Sequence, residues 1–200
     1  MSVLILSGPS GSGKSTLCSA IMEHIPNVYF SISSTTRKPR EGEKNGKDYH
    51  FLSQEEFLRE IEEGSFLEWA QVHTNYYGTS LKPVEKALEE GKLVIFDVDV
   101  QGHHSIKKHY GKLATSVFVT TPSKAVLADR LKGRKTDNDE VIEMRLMHAY
   151  NEMQHIDEFD FLIINDDILQ AKEAILAIVK SLDYVQNPNR TQKILKEWVI

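Results

Sequence analysis

The residues that decide the fold are Gly8-Pro9-Ser10-Gly11-Ser12-Gly13-Lys14-Ser15-Thr16. A short apolar run before them predicts a buried strand, and a helix is predicted from 17 to 25, before Pro26. Glycines between a strand and a helix let backbone N–H groups surround phosphates, and the helix dipole adds positive charge there. The stretch predicts a phosphate-binding loop rather than an accidental turn. Lys14 would reach the β- and γ-phosphates, and the Ser15 hydroxyl would bind Mg²⁺.

The composition is that of an ordinary soluble domain. The chain has 200 residues, of which 40% are hydrophobic and 26% charged, and its net charge is −5. An acidic chain is not expected to bind nucleic acid. The single cysteine, Cys18, cannot form an internal disulfide and fits a reducing cytosol. No apolar run approaches the ~18 residues of a membrane span, and Met1-Ser2 leads straight into the first strand. We therefore expect a cytoplasmic protein without a membrane partner.

The order of predicted elements indicates an α/β fold. Strands are predicted at 3–6, 49–52, 66–72, 76–80, 93–97, 113–119 and 161–164, with helices at 17–25, 53–62, 82–90, 101–109, 121–131, 139–154 and 168–182. Strands that alternate with helices predict a mostly parallel, doubly wound sheet. The region 31–80 interrupts this alternation and is β-rich, so we interpret it as an inserted subdomain.

Two acids follow the apolar strand that ends near Phe96. Asp97 is where a fold with a phosphate-binding loop presents a carboxylate towards Mg²⁺, often through water. Asp99 lies two residues on, so in an extended chain both side chains project to the same side. The alternative is an ordinary pair of acids at a strand end.

A second polar stretch predicts another anion site. Arg37 and Arg40 are separated by Lys38 and Pro39, and Pro39 keeps Lys38 out of helical conformation. Two guanidinium groups on a stiff turn suit a phosphate dianion, because each can bind two oxygens in a plane. Tyr49 could add a hydroxyl donor. Taken alone, a stretch of this composition would be interpreted as a solvated basic loop. Two phosphate sites in one chain are what a phosphoryl transferase needs, one for the donor and one for the acceptor.

At this point the chain resembles guanylate kinases. The residues that carry the resemblance are 8–16, Thr35-Thr36-Arg37-Lys38-Pro39-Arg40-Glu41-Gly42-Glu43, Gly46-Lys47-Asp48-Tyr49, Phe66-Leu67-Glu68-Trp69-Ala70, Asn75-Tyr76-Tyr77-Gly78-Thr79 and Ile95-Phe96-Asp97-Val98-Asp99-Val100-Gln101-Gly102. They follow in unbroken order over about 3–182. The resemblance implies transfer of the γ-phosphoryl group of Mg-ATP to GMP. It also implies a P-loop NTPase-type core (1–30, 82–124 and 147–185), a GMP-binding subdomain (31–81), a helical lid (125–146) and a helical tail (186–200).

The resemblance also implies roles for individual residues. Residues 8–16 and Asn165 would bind ATP, with Mg²⁺ held by Ser15 and, through water, by Asp97. The GMP phosphate would be held by Arg37, Arg40, Tyr49 and Tyr77. The guanine would be bound by Ser33, Glu68, Thr79 and Asp99. Guanine has N1–H and N2–H₂ donors that suit Glu68, and an O6 acceptor that suits Ser33. Adenine would leave these groups unpaired, which can discriminate by about 10⁴.

Lid arginines complete the implied site. Arg130 and Arg134 are four residues apart and share a helical face, and Arg145 lies in the next helix. With Lys14 they would be the catalytic residues, because neutralising the transferring phosphoryl group is the main contribution that a protein makes to this reaction. Lys135-Thr136-Asp137 depart from the glycine or short polar residue that many relatives have after the arginine, so lid stiffness could differ.

Other readings of the chain stay open. A guanylate-kinase-like interaction domain would bind phosphopeptides, but such domains typically have degraded P-loops. A kinase for another nucleoside monophosphate or a sugar phosphate is the third possibility. The histidines, including His103 and His104, lack cysteine or acidic partners at zinc-like spacing, so we expect core or surface residues. We expect a monomer or homodimer, and we expect the apolar face of Ile194, Leu195, Trp198 and Val199 to pack on the core rather than on a second subunit.

Overall fold

A computed structural model describes residues 2–40, 42–72, 74–133, 138–185 and 188–198. The strands, numbered along the chain, are β1 (Ser2–Ser7), β2 (Val28–Phe30), β3 (Ser34–Thr35), β4 (His50–Phe51), β5 (Phe66–Val72), β6 (Asn75–Ser80), β7 (Leu93–Asp97), β8 (Ala114–Thr120) and β9 (Phe161–Ile164). The helices are α1 (Lys14–His24), α2 (Gln54–Glu62), α3 (Leu81–Glu89), α4 (Val100–Tyr110), α5 (Lys124–Gly133), α6 (Asp139–Met153), α7 (Ile168–Ser181) and α8 (Pro188–Glu197).

The main sheet is parallel and has the strand order β2-β7-β1-β8-β9. Its central strand, β1, is buried on both faces, because alternate side chains point in opposite directions. Leu4 and Leu6 pack with α1 and α7, whereas Val3 and Ile5 pack with α3 and α4. The loop after β1 therefore opens at the carboxyl edge of the sheet, where ligands bind in folds of this class.

The inserted region forms a second sheet of order β4-β3-β6-β5 among the described residues. The helix α2 is capped by Ser53, whose side chain accepts a hydrogen bond from the Glu56 amide while the Glu56 carboxylate accepts one from the Ser53 amide. On the buried face of α2, the ring of Phe57 stacks on Phe66 at 4.3 Å and on Tyr76 at 5.5 Å. The insertion thus has an aromatic core of its own.

A hairpin of α5 and α6 lies over the carboxyl edge of the main sheet. Leu127, Leu131, Ile142 and Ala149 are buried against one another, with Leu146 packed beside them. The helix α6 continues through position 146, where the predicted lid ends. The division into core, acceptor subdomain and lid stays a prediction.

The C-terminal helix α8 carries exposed apolar side chains. Ile194, Leu195 and Trp198 are 47%, 60% and 82% exposed, so the expected packing of these three on the core is wrong. Val199 lies outside the described residues. Nothing in the described ranges has the length and apolarity of a helix that crosses a bilayer.

The predicted α/β class, the parallel sheet and the inserted β-rich region are all present. Two strands of the fold were not predicted, β2 and β3. They have three and two residues, which is too few for any periodicity to show in the sequence. Their places are set by pairing with β7 and with β4 and β6.

Candidate active site

The loop between β1 and α1 follows a path that requires glycine. Gly8 and Gly13 have φ of 128° and 105°, which side-chain-bearing residues rarely adopt. A Cβ on Gly8 would overlap the carbonyl oxygen of Val119, and one on Gly13 would overlap the amide nitrogen of Asn165. The Ser12 amide donates to the Pro9 carbonyl at 3.0 Å and closes the turn. The loop is thereby held against β8 and the end of β9.

A polar cavity of about 420 Å³ lies over this loop. Its lining residues are Gly8, Ser10, Gly11, Gly13, Lys14, Ser15, Thr16, Asp97, Val98, Asp99 and Glu152. Most of the predicted ATP-binding loop therefore faces one cavity, together with Asp97 at the end of β7 and Asp99 two residues later. This arrangement can bind a polyanion at the N-terminus of α1.

Lys14 and Asp97 face each other across the cavity. The Lys14 ammonium donates to the carbonyl of Gly8 at 2.5 Å and to that of Pro9 at 3.3 Å, and it lies 3.9 Å from Asp97 Oδ1. Burial raises the pKa of Asp97, and the positive charge of Lys14 opposes that rise. Lys14 thus places a cation beside the partly desolvated carboxylate of Asp97.

Glu152 is a member of the site that the sequence analysis missed. It lines the cavity from α6, and its Oε2 atom is buried without a hydrogen-bond partner among the described residues. Burial raises the pKa of Glu152, and the nearby charge of Asp99 raises it further, against the charges of Lys14 and His148. Its spacing in the sequence could have indicated it. Glu152 follows Arg145 by seven residues and therefore lies on the same face of the helix.

The hairpin reaches the loop through Arg145, whose guanidinium donates to the Ser10 hydroxyl at 3.0 Å. Arg130 donates instead to the carbonyl of Asn165 at 2.8 Å. The side-chain amide of buried Asn165 donates to the carbonyl of Ser12 at 2.8 Å. Asn165 therefore links the phosphate-binding loop to α5. Arg134 lies outside the described residues.

The second polar region is centred on Arg37 in the inserted sheet. Both oxygens of the Glu43 carboxylate accept from its guanidinium, at 2.8 and 3.0 Å, and the Arg40 amide also donates to Glu43 at 2.7 Å. The hydrogen bond from Arg37 holds the pKa of Glu43 below its ordinary value. The Tyr49 ring lies 5.3 Å from the Arg37 guanidinium carbon and 6.2 Å from the Tyr77 ring. Arg37, Tyr49 and Tyr77 are thus brought together, and the Arg40 side chain is exposed beside them.

The four residues predicted to bind a base occupy two places. Glu68 and Thr79 are cross-strand neighbours on β5 and β6, and the Thr79 hydroxyl donates to Glu68 at 2.6 Å. Ser33 precedes β3 of the same sheet. Asp99 is not part of that sheet but caps α4, where its carboxylate accepts from the Gly102 amide at 2.8 Å.

Comparison with known proteins adds to this geometry. The family profile described as Guanylate kinase matches residues 1–182. This chain belongs to the guanylate kinase family. It is 62% identical to the guanylate kinase of Helicobacter hepaticus, over 98% of both chains. It is 57% identical to that of Helicobacter pylori strain 26695, over 98% of this chain and 95% of the relative. The crystal structure of guanylate kinase from Anaplasma phagocytophilum matches with a TM-score of 0.73 and 30% identity, over 98% and 94% of the two chains.

Membership of the guanylate kinase family confirms the predicted family, the fold and the enzyme class, a nucleoside monophosphate kinase. The individual residue roles stay predictions. Two residues had no predicted role although the geometry singles them out. Glu152 shares the cavity with Lys14, and Glu43 binds the Arg37 guanidinium. Glu43 lies six residues after Arg37, and loop conformation rather than a regular helix or strand brings them together.

Proposed function

We propose that this chain transfers the γ-phosphoryl group of ATP to GMP, with ATP over the loop that precedes α1 and GMP on the inserted sheet. The observation that carries the proposal is the presence of two separate anion-binding arrangements in one chain. One is the cavity that contains Lys14 at the N-terminus of α1. The other is the Arg37 guanidinium, which donates two hydrogen bonds to the Glu43 carboxylate. A donor and an acceptor that both carry phosphate need such a pair.

On the donor side, the Lys14 ammonium is held by two loop carbonyls and so already lies within the cavity. It would exchange these carbonyls for the β- and γ-phosphate oxygens of ATP. Backbone amides from Gly11 to Thr16 would bind the phosphate chain. The link of Asn165 to Ser12 supports positioning of the loop as its role.

The residues around Asp97 fit Mg²⁺. A carboxylate and the Ser15 hydroxyl line the same cavity, and hard oxygen ligands are those that Mg²⁺ prefers. Ser15 and Asp97 would hold the ion, Asp97 through water. Bound Mg²⁺ would neutralise charge on the phosphates. Asp97 is raised in pKa by burial, so a nearby divalent cation would also favour its charged form.

On the acceptor side, the Glu43 carboxylate stands in for two oxygens of the GMP phosphate. A guanidinium that binds one planar pair of oxygens can bind another, and phosphate carries more charge than carboxylate. Arg37, with Arg40, Tyr49 and Tyr77, would therefore hold the GMP phosphate. Glu68, Thr79 and Ser33, with Asp99 from the main domain, would bind the guanine.

Arg130, Arg134 and Arg145 would stabilise the transferring phosphoryl group. The contact from Arg145 to Ser10 supports this role, because it places a guanidinium at the phosphate-binding loop. Holding both nucleotides in line can supply about 7–11 kcal/mol of the barrier, so no covalent intermediate is needed. The state of assembly, monomer or homodimer, and the cytosolic location stay predictions.

The test is ADP formation from Mg-ATP with GMP, AMP, UMP or CMP as acceptor. We expect turnover with GMP and loss of that turnover in Lys14→Ala. Glu68→Ala should lower kcat/KM for GMP much more than it changes ATP binding. Binding of GMP or a phosphopeptide without turnover of any acceptor would overturn the proposal, and equal turnover of GMP and AMP would overturn the guanine assignment.

A further inference from the structure

A cluster of histidines and one acid lies on α4, away from the phosphate-binding loop. His103 and His104 belong to α4, whereas Glu158 comes from the turn between α6 and β9, 54 residues further along than His104. One ligand atom from each of these three side chains lies within 4.8 Å of the other two. The sequence analysis found no acidic partner for His103 and His104 at zinc-like spacing, because only the fold brings Glu158 to α4.

His103 is buried in a way that leaves its imidazole unsatisfied. Its exposed fraction is 2%, and neither ring nitrogen has a hydrogen-bond partner among the described residues. The ring stacks on Phe159 at 4.0 Å, which covers a face but pairs with neither nitrogen. A buried imidazole without partners is costly, since both nitrogens would be solvated in water. This second observation points to a missing ligand.

The Glu158 carboxylate is held from two sides. His104 Nε2 hydrogen-bonds to its Oε2 atom, and His155 Nδ1 lies 2.7 Å from its Oε1 atom. The ring centroids of His104 and His155 are 5.8 Å apart, and their ring planes make an angle of 75°. The acid thus lies among three imidazoles that could either donate a proton to it or share a cation with it.

The segment that carries Glu158 is fixed to the rest of the domain. The next acid, Asp160, accepts from Lys107 at 2.6 Å and from the Ser116 hydroxyl at 2.9 Å. Phe159 packs edge-on against Phe118 at 5.0 Å. Supporting contacts of this kind orient ligands around metals. The cluster is therefore assembled before any ligand binds.

Solvent reaches the cluster through two of its three members, because His104 and Glu158 are exposed while His103 is buried. His104 also lines a cavity of about 430 Å³ with Asp99, Gln101, His148, His155 and neighbouring residues, whereas His103 and Glu158 are not part of that lining.

We propose that His103, His104 and Glu158 bind a divalent transition-metal ion, Zn²⁺ in preference to Mg²⁺, with His155 orienting the carboxylate. Imidazole and carboxylate are ligands of Zn²⁺, and two neutral imidazoles with one anion match a three-ligand site. Ligand atoms at about 2.0–2.1 Å from a tetrahedral ion lie about 3.3 Å apart, so small side-chain rotations would close the site. The proposal does not depend on the kinase assignment.

The test is titration of the metal-free full-length protein with ZnCl₂ in excess Mg²⁺, followed by calorimetry, with Co²⁺ absorption as a probe of four-coordinate geometry. We expect one saturable site in the wild type. His104→Gln and Glu158→Gln should each weaken binding by at least about tenfold, as loss of even a supporting contact does. His109→Gln on the same helix is the matched control and should bind as the wild type does. Each variant is first checked for an unchanged urea midpoint.

Two results would overturn the proposal. One is the absence of a saturable Zn²⁺ site in the wild type. The other is Zn²⁺ binding of equal affinity in the wild type and in folded His104→Gln and Glu158→Gln, which would place the ion elsewhere. Kinase turnover is not needed for either readout, so failure here would leave the ATP and GMP assignment untouched.

Discussion

The guanidinium of Arg37 makes two parallel hydrogen bonds to one carboxylate, and lysine cannot reproduce that geometry. We therefore expect Arg37→Lys to raise KM for GMP by about tenfold or more, through loss of one charge-assisted hydrogen bond to the phosphate. KM for ATP should change little, because Arg37 lies in the inserted region, in the loop that follows β3. Steady-state kinetics with each substrate varied would measure both constants. Arg59→Lys on exposed α2 is the control, and an equal rise there would contradict the assignment.

Glu152 gives a prediction about stability and pH. Burial raises its pKa above the ordinary value of 4.5, so the folded state holds the proton more tightly than the unfolded state does. The folded protein is then favoured as pH falls through the raised pKa and is disfavoured above it. Glu152→Gln removes the buried charge, so we expect its urea midpoint to exceed that of the wild type at neutral pH. The difference between the two midpoints should be smaller at mildly acidic pH.

The same substitution separates function from stability at Glu152. If the Glu152 charge contributes to catalysis, Glu152→Gln should lower kcat while it makes the protein more stable. Active-site residues often favour activity at the expense of stability. Urea unfolding and kcat would be measured on one preparation. The neighbouring exposed acid of α6, Glu143, supplies the control as Glu143→Gln. A lower urea midpoint for Glu152→Gln at neutral pH would contradict the desolvation argument.

Among the elements, α2 depends on a reciprocal cap at its first turn. The Ser53 hydroxyl accepts from the Glu56 amide at 3.1 Å, and the Ser53 amide donates back to Glu56 at 2.8 Å. Ser53→Ala should cost about 1 kcal/mol in the free energy of unfolding, whereas Ser53→Asp should retain most of the cap. Urea unfolding of the three proteins is the measurement. Equal losses in both variants would show that the cap contributes nothing specific.

The elements also show what the sequence could and could not predict. The cap at Ser53 and the loop at 8–16 were predictable, because each is a local pattern with its own physical cause. The strands β2 and β3 were not, since pairing with distant strands sets their places. Glu158 was missed because its partners on α4 lie far away in the sequence, and Glu152 because its spacing from Arg145 does not by itself reveal the cavity. Each becomes meaningful only when the fold places it beside Lys14 or His104.

At the scale of the whole molecule, one short segment carries a residue proposed for each of the two nucleotide sites. Asp97 faces Lys14 over the donor loop, and Asp99, two residues later, begins α4 and was predicted to bind guanine. Val98 lies between them and packs against the same hydrophobic cluster as Leu67 of β5, the residue before Glu68. If one nucleotide orders this segment when it binds, the second nucleotide meets a segment that is already fixed. Binding of the second nucleotide would then cost less conformational entropy.

We expect this arrangement to make the two nucleotides bind cooperatively. The dissociation constant of GMP should fall by at least about fivefold when a non-hydrolysable ATP analogue and Mg²⁺ are present, which is the lower end of typical coupling between sites. Calorimetric titration of GMP with and without the analogue measures the ratio, and thermodynamic linkage requires the same ratio in the reverse titration. Lys14→Ala, which weakens the analogue alone, is the control and should lose the effect at the same analogue concentration. An unchanged GMP constant at saturating analogue would show that the donor and acceptor sites are independent, and the shared segment would then have no part in closing the enzyme around its substrates.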